Sequence, residues 1–205
     1  ARHATGALSL LLVVGCAAQK PQQRVQHILL APVTIKSKQT AAGPRAYVLD
    51  FGVLNDEAMA HYDAGRWARA VENFDVILDE FPENDGVGAV AFNCGLSLLR
   101  LGRPLDAARR FRDAIRHGQG SRDARDAVFL LAESLELAGR HKAAANVYKA
   151  VVHDTTVERI VGGKLGLLDG LEATARWGLA LKASGDIHAA EKALREVERI
   201  YENHR

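Results

Sequence analysis

The 205-residue sequence has little of several features that would each indicate a particular class of protein. Its two cysteines are too few for a disulfide framework. Five prolines and 6% aromatic residues suit a helical protein better than a β-sandwich. Lys and Arg number 27 and Asp and Glu number 25. The net charge of +2 therefore argues against a nucleic-acid binder that depends on a strong basic field.

The sequence also lacks the short motifs of enzymes and metal sites. It contains no HExxH, CxxC, GxSxG or phosphate-binding loop, and no two histidines lie three or four residues apart. Gly162-Gly163-Lys164 has neither the leading Gly nor the following Ser or Thr of a phosphate loop. Carboxylate pairs such as Glu133 and Glu136 have the spacing of a solvated helix surface. We therefore expect no catalytic residue, metal or cofactor, and predict that the chain is not an enzyme.

An apolar run near the start of the chain is followed by a cysteine. The run covers residues 7–14, which is too short to span a bilayer, and it ends in Val13-Val14-Gly15-Cys16. This pattern, behind Arg2 and His3, resembles the lipobox of bacterial lipoproteins. The resemblance implies a signal peptide at 1–15, cleavage before Cys16 and lipid chains on Cys16. The alternatives are an ordinary cleaved signal that contains a Cys, or a buried apolar helix.

The residues after the lipobox predict a location and a linker. Ala17 rather than Asp follows Cys16, and by the enteric sorting rule this implies the periplasmic face of the bacterial outer membrane. Residues 16–50 are expected to be the lipid anchor and a flexible linker, because no periodicity persists there and three of the five prolines lie there. The patch Ile28-Leu29-Leu30 could dock elsewhere or form a strand that ends at Pro32.

From residue 51 onward the sequence repeats itself. Four segments align on a shared glycine: Gly65, Gly102, Gly139 and Gly185. Five residues after each glycine stands an alanine: Ala70, Ala107, Ala144 and Ala190. Nine residues after it stands a large apolar residue: Phe74, Phe111, Tyr148 and Leu194. Seven residues before it stands a small residue: Ala58, Gly95, Ala132 and Gly178.

The residue type at each of these repeated positions has a physical explanation. A glycine readily adopts the left-handed conformation that ends a helix. Small residues on both sides of the turn allow two antiparallel helices to approach closely. The large apolar residue is expected to fill the space between one helix pair and the next. Cys94 lies in a core column and is expected to be a buried filler, and Trp67 and Trp177 are expected to pack between helices.

The pattern resembles the tetratricopeptide repeat, a helix–turn–helix unit of about 34 residues. The resemblance implies an all-α fold, an antiparallel helix-pair solenoid that winds as a right-handed superhelix. It implies a repeat domain at 51–205 with about four units, near 51–84, 88–121, 125–158 and 171–204. The alternative is a generic helical bundle, which would not repeat its small residues in register.

The spacing of the glycines, 37, 37 and 46 residues, indicates a longer unit than usual and an insertion. This long period, together with Phe-Pro-Glu-Asn at 81–84, resembles a subgroup of tetratricopeptide-repeat proteins of the bacterial envelope. That subgroup includes the Tol-Pal-associated repeat protein and the repeat lipoprotein of the barrel-assembly machinery. The extra residues fall in 157–170, and Thr155 and Glu158 have capping-box spacing. We therefore expect a helix that begins near residue 156 and weakens at Gly162-Gly163.

The family resemblance also implies a binding surface, because the first helix of each unit lines a concave groove in this family. The inward positions carried over to this sequence are Asn55, Met59, Tyr62, Phe92, Leu96, Leu99, Arg100, Phe129, Glu133, Glu136, Leu179 and Lys182. Phe92 and Phe129 lie one period apart and should form one apolar stripe, suited to a peptide or partner helix. Some of these side chains could instead fill the superhelix interior. The Lys and Asn set that binds a terminal carboxylate in chaperone-binding relatives is not evident.

These observations predict a membrane-anchored scaffold that binds a protein or peptide partner in a bacterial envelope complex. Outer-membrane biogenesis, secretion, pilus or motility machinery and cell-wall coordination all fit this expectation. The alternative is a lipoprotein with an unrecognised enzymatic or solute-binding site. We expect no nucleic-acid partner.

Overall fold

The computed structural model describes residues 33–40, 43–160, 162–163 and 166–203, which lie in one compact unit, Ala31–Arg205. The predicted signal peptide and Cys16 lie outside the described residues. The elements within them are β1 (Val33–Thr40), β2 (Gly43–Asp50), α1 (Phe51–Asp63), α2 (Trp67–Glu80), α3 (Val87–Arg100), α4 (Pro104–His117), α5 (Arg122–Leu137), α6 (His141–His153), α7 (Thr155–Ile160), α8 (Leu167–Ala183) and α9 (Ile187–Glu202). None of the helices described is both long and apolar enough to cross a membrane.

Four helix pairs, α1/α2, α3/α4, α5/α6 and α8/α9, form the body of the described chain, which confirms the predicted helix-pair fold. The four repeated glycines all have positive φ, between 69° and 89°. At the first turn, the Gly65 N–H donates to the Tyr62 carbonyl and the Arg66 N–H to the His61 carbonyl, each at 2.9 Å. The same pattern closes the other three turns, so each pair has one Schellman-type ending.

The small residue seven positions before the repeat glycine and the large apolar residue nine positions after it come together inside the helix pair. A Cβ added to Gly95 would lie 2.7 Å from Cε1 of Phe111, and one added to Gly178 would lie 2.7 Å from Cγ of Leu194. The large residue of these two units therefore packs against the first helix of its own unit, whereas the sequence predicted that it fills the space between units. Phe74, Phe111 and Tyr148 are fully buried and, with the alanine column, form the core.

The expected flexible linker at 16–50 is wrong for residues 33–40 and 43–50, which form the two antiparallel strands of a hairpin. Val33 lies opposite Asp50 and Thr40 opposite Gly43. Contacts with the helices stabilise this hairpin, because Leu49 packs against the helical core and the Lys36 ammonium binds the Glu80 carboxylate of α2. Since a lone hairpin is marginal in water, this support is the physical reason that local periodicity did not predict it.

The hairpin leads directly into the first repeat. Asp50 ends β2 and is also the N-cap of α1, where its Oδ1 accepts a hydrogen bond from the Val53 N–H at 3.0 Å. An aspartate at this position satisfies a backbone donor that the helix cannot. No residue separates the strand from the helix.

The insertion before the last pair contains the short helix α7. Its N-terminus is capped by Asp154, whose Oδ1 accepts from the Thr156 N–H at 2.7 Å, rather than by the predicted Thr155. The Gly120 N–H donates to the Ile160 carbonyl at 2.8 Å and joins α7 to the turn between α4 and α5. The last pair then begins at Leu167, four residues before the predicted start at 171.

Candidate partner-binding groove

The first helices of three successive pairs, α3, α5 and α8, enclose a pocket of about 400 Å³. Its lining residues are Phe92, Arg125, Asp126, Phe129, Leu130, Glu133, Asp169, Glu172 and Arg176. We call this surface the first-helix groove. Each of three successive units therefore contributes residues of its first helix to this groove.

The two predicted phenylalanines lie together in the first-helix groove, and both are half-buried. The Phe92 ring packs edge-on against Phe111, with the ring centroids 5.9 Å apart, and Phe129 packs against buried core residues. Each ring is therefore packed against the core on one part of its surface and exposed on another. This arrangement combines the two alternatives that the sequence left open, groove lining and interior filling.

Charged side chains surround the two rings, and acids outnumber bases. Four carboxylates and two guanidinium groups line the pocket. Two of these carboxylates are already paired, because Arg176 donates from Nε to Oε1 of Glu172 at 2.8 Å and Arg122 Nε lies 3.7 Å from Oδ2 of Asp126. Glu133 and Asp169 form no ion pair with another described residue. Since unlike charges attract an approaching partner and like charges repel it, this lining favours a partner segment that carries Lys or Arg.

A buried hydroxyl anchors the charged wall to the core. The Tyr148 hydroxyl donates to Oε2 of Glu136 at 3.1 Å and accepts from Nη1 of Arg176 at 3.5 Å. Burial raises the pKa of Tyr148 to about 12, against the opposing effect of its hydrogen bond to Arg176. The hydroxyl stays protonated at neutral pH and holds two charged residues in place.

The remaining predicted groove residues lie elsewhere on the first helices. Tyr62 packs edge-on against Trp67 at 5.0 Å between ring centroids, and Arg100 lies over Trp67 at 5.9 Å, within range for a cation–π contact. The positions that line other parts of the first helices, rather than this pocket, are Asn55, Met59, Tyr62, Leu96, Leu99, Arg100, Glu136, Leu179 and Lys182. Of this set, Met59, Tyr62, Leu96 and Leu99 are half-buried against the core.

Sequence reasoning missed six pocket residues. They are Arg125, Asp126, Leu130, Asp169, Glu172 and Arg176. The signal was present on the third unit's first helix, where Arg125, Phe129 and Glu133 recur at intervals of four and so share one helix face. On α8 the signal was weaker, because the insertion before it obscured where the helix begins, which is Leu167 rather than 171.

Cys94 is buried, as predicted. Its Sγ donates to Oδ1 of Asp75 at 3.6 Å, and Arg110 donates to the same oxygen at 2.7 Å. Burial, helped by the Asp75 charge, raises the pKa of the Cys94 thiol to about 12. A thiol that stays neutral is a poor nucleophile. Within the described residues no cluster of His, Cys, Asp or Glu could hold a metal ion.

Comparison with known families identifies the repeats. Models of the tetratricopeptide repeat match residues 94–156 and 57–84. The chain therefore contains tetratricopeptide repeats, and its described part has the corresponding helix-pair fold. Proteins with such repeats are typically non-enzymatic scaffolds for protein–protein interaction. No curated protein matches the chain significantly.

One solved structure supports the same fold. BtubC (BKLC) from P. vanneervenii is similar with a TM-score of 0.54 and 19% identity. The match covers 75% of this chain but only 63% of the BtubC chain. A MamA protein is similar with a TM-score of 0.43 and 16% identity, over 74% of this chain and 92% of that one. At these identities the likeness to BtubC shows the fold alone.

Proposed function

We propose that this protein is a lipid-anchored scaffold of a bacterial envelope complex and that it holds a protein partner in the first-helix groove. The observation that carries the proposal is the pocket in which Phe92 and Phe129, one repeat apart, expose apolar ring surface between charged walls. Aromatic side chains in such a setting are typical anchors of protein interfaces. The partner segment presents an apolar residue beside Lys or Arg, to match the acidic lining.

The anchor is the second element of the proposal. The sequence Val13-Val14-Gly15-Cys16 supports it, together with the apolar run that precedes it. Two or more acyl chains hold a protein stably at a membrane, whereas one does so only marginally. Acylation of Cys16 at the periplasmic face of the outer membrane would confine the repeats to partners within reach of that surface.

Site-specific photo-crosslinking in the native envelope tests the groove. A benzoylphenylalanine in place of Glu133, an exposed groove residue, should yield a discrete adduct with one partner protein. The same probe in place of Glu198, an exposed residue on α9, is the matched control and should not. Asp169→Arg, which reverses a charge in the pocket, should reduce the Glu133 adduct. Equal adduct yields at positions 133 and 198 would refute partner binding in the groove. A Glu133 adduct whose yield is unchanged by Asp169→Arg would also refute it.

Acyl labelling tests the anchor independently. Cys16→Ala should abolish incorporation of labelled fatty acid and move the protein out of the membrane fraction. Cys94→Ala is the matched control, because Cys94 is buried against Asp75 and should not be acylated. A Cys16→Ala protein that remains acylated or membrane-bound would contradict the anchor while leaving the groove test unaffected.

A further inference from the structure

Residues at the same distance from a repeat glycine occupy corresponding positions, so the residues of different helix pairs can be compared. Between the second helices α2 and α4, Arg110 donates to Asp75 at 2.7 Å, and this ion pair lies over Cys94, which is fully buried. Asp75 stands ten residues after the repeat glycine Gly65. Arg110 stands eight residues after the next repeat glycine, Gly102, and Cys94 stands eight residues before Gly102.

The corresponding positions between α6 and α9 hold different residues. Lys149 stands where Asp75 does, Ala193 where Arg110 does, and Trp177 where Cys94 does. With an alanine in place of the arginine, the ion pair between Asp75 and Arg110 has no counterpart at this site. A pocket of about 460 Å³ is present between α6, α8 and α9. Such a volume is ordinary for a small-molecule site.

The pocket has an apolar wall and a basic rim. Trp177, Ala189 and Ala193 contribute apolar surface, and the edge of His153 meets Trp177 with ring centroids 5.3 Å apart. Lys149 and Lys192 are exposed at the rim, and neither forms an ion pair with any described residue. An anion at the rim therefore meets two ammonium groups.

The acid at the same rim is already occupied. Arg199 donates from Nε to Oε2 of Glu196 at 2.9 Å, and this hydrogen bonding lowers the pKa of Glu196. Glu196 is therefore ionised and paired, and its charge is offset by Arg199. The two lysines retain a local excess of positive charge beside the tryptophan.

We propose that this pocket binds a small aliphatic carboxylate, with the carboxylate at Lys149 and Lys192 and the aliphatic chain against Trp177. A carboxylate supplies to Lys149 the opposite charge that Arg110 supplies to Asp75 in the earlier pair of units. The aliphatic chain covers the apolar wall at the position where the earlier pair of units has the Arg110 side chain. This site is separate from the first-helix groove, since second helices provide its lysines.

Fluorescence of Trp177 provides a direct assay. This 205-residue sequence has two tryptophans, so Trp67→Phe leaves Trp177 as its single tryptophan reporter. Titration with hexanoate at constant ionic strength should change this emission in a saturable way. Hexanamide has the same chain without the charge and should bind more weakly, by up to about fivefold for each surface ion contact that is lost. Equal binding of both probes, or no saturable change with hexanoate, would overturn the proposal.

Variants locate the carboxylate. Lys149→Ala and Lys192→Ala should each weaken hexanoate binding about fivefold and leave hexanamide binding unchanged. Lys142→Ala, an exposed lysine two turns earlier on α6, is the matched control and should change neither. If both pocket variants keep the parental hexanoate affinity with unchanged melting curves, the carboxylate does not bind at these lysines. Glu133 crosslinking should proceed normally in both variants, so failure here leaves the groove proposal standing.

Discussion

Substitution of Gly95 by Ala tests the packing register at its tightest point. The new Cβ would lie 2.7 Å from Cε1 of Phe111, whereas carbon atoms in contact prefer about 3.5–4.0 Å. Phe111 is fully buried and cannot move into solvent. Overpacking of this kind costs about 1–3 kcal/mol. Because Ala is a better helix former than Gly by about 1 kcal/mol, a net loss of about 1 kcal/mol remains.

Gly170→Ala is the matched control, because Gly170 also lies in a helix but has no atom within 4 Å of an added Cβ. This variant should gain about 1 kcal/mol from helix propensity alone. The two variants should therefore differ by about 2 kcal/mol, which corresponds to about 4–8 °C in melting temperature by circular dichroism. If Gly95→Ala is as stable as Gly170→Ala, the close contact between Gly95 and Phe111 does not exist in the protein.

Three further predictions follow from the packing, the buried thiol and the first helix cap. Ala107→Leu and Ala144→Leu should each lower the free energy of unfolding by about 1–3 kcal/mol in denaturant titrations, because both alanines are fully buried; parental midpoints would contradict this. The melting temperature should fall as the pH rises from 9 toward 12, because the Cys94 pKa is raised from 9.0 to about 12 in the folded state, so its stabilising effect is present below pH 9 and lost toward 12. Cys94→Ala should reduce that pH dependence and leave the part due to Tyr148, whose pKa is raised from 10.0 to about 12; an unchanged slope would exclude the thiol as a cause. Asp50→Ala should cost about 1 kcal/mol, since the Val53 N–H loses its acceptor, whereas Asp50→Asn should be nearly neutral.

The helical part of the fold was predictable because its determinants are local and repeated. Gly65 and its three counterparts occupy one conformation, and the partner of each small residue lies a fixed distance along the chain. The hairpin was not predictable in the same way. Its stability depends on Leu49 and Lys36 meeting helices, and Glu80, the partner of Lys36, lies 44 residues away. Pairing over such a distance leaves no periodic signal in the strands themselves.

The candidate groove was predictable only in its apolar part. Phe92 and Phe129 are one period apart, and the repeat alone is enough to align them. The charged walls combine residues from α5 and α8, and the insertion with α7 separates those helices in the sequence. Which face of α8 meets α5 depends on how that insertion folds, as when the Gly120 N–H binds the Ile160 carbonyl.

The direct passage from β2 into α1 has a mechanical consequence. Val33 lies opposite Asp50, so the two ends of the hairpin are neighbours, and a force applied between Val33 and the helices would separate the strands from that end. The interstrand hydrogen bonds would then break in succession rather than together. Opening of residues 33–50 would release about 60 Å of extended chain, at about 3.3 Å per residue. The hairpin can thus lengthen the connection to the repeats under tension and shorten it again on relaxation.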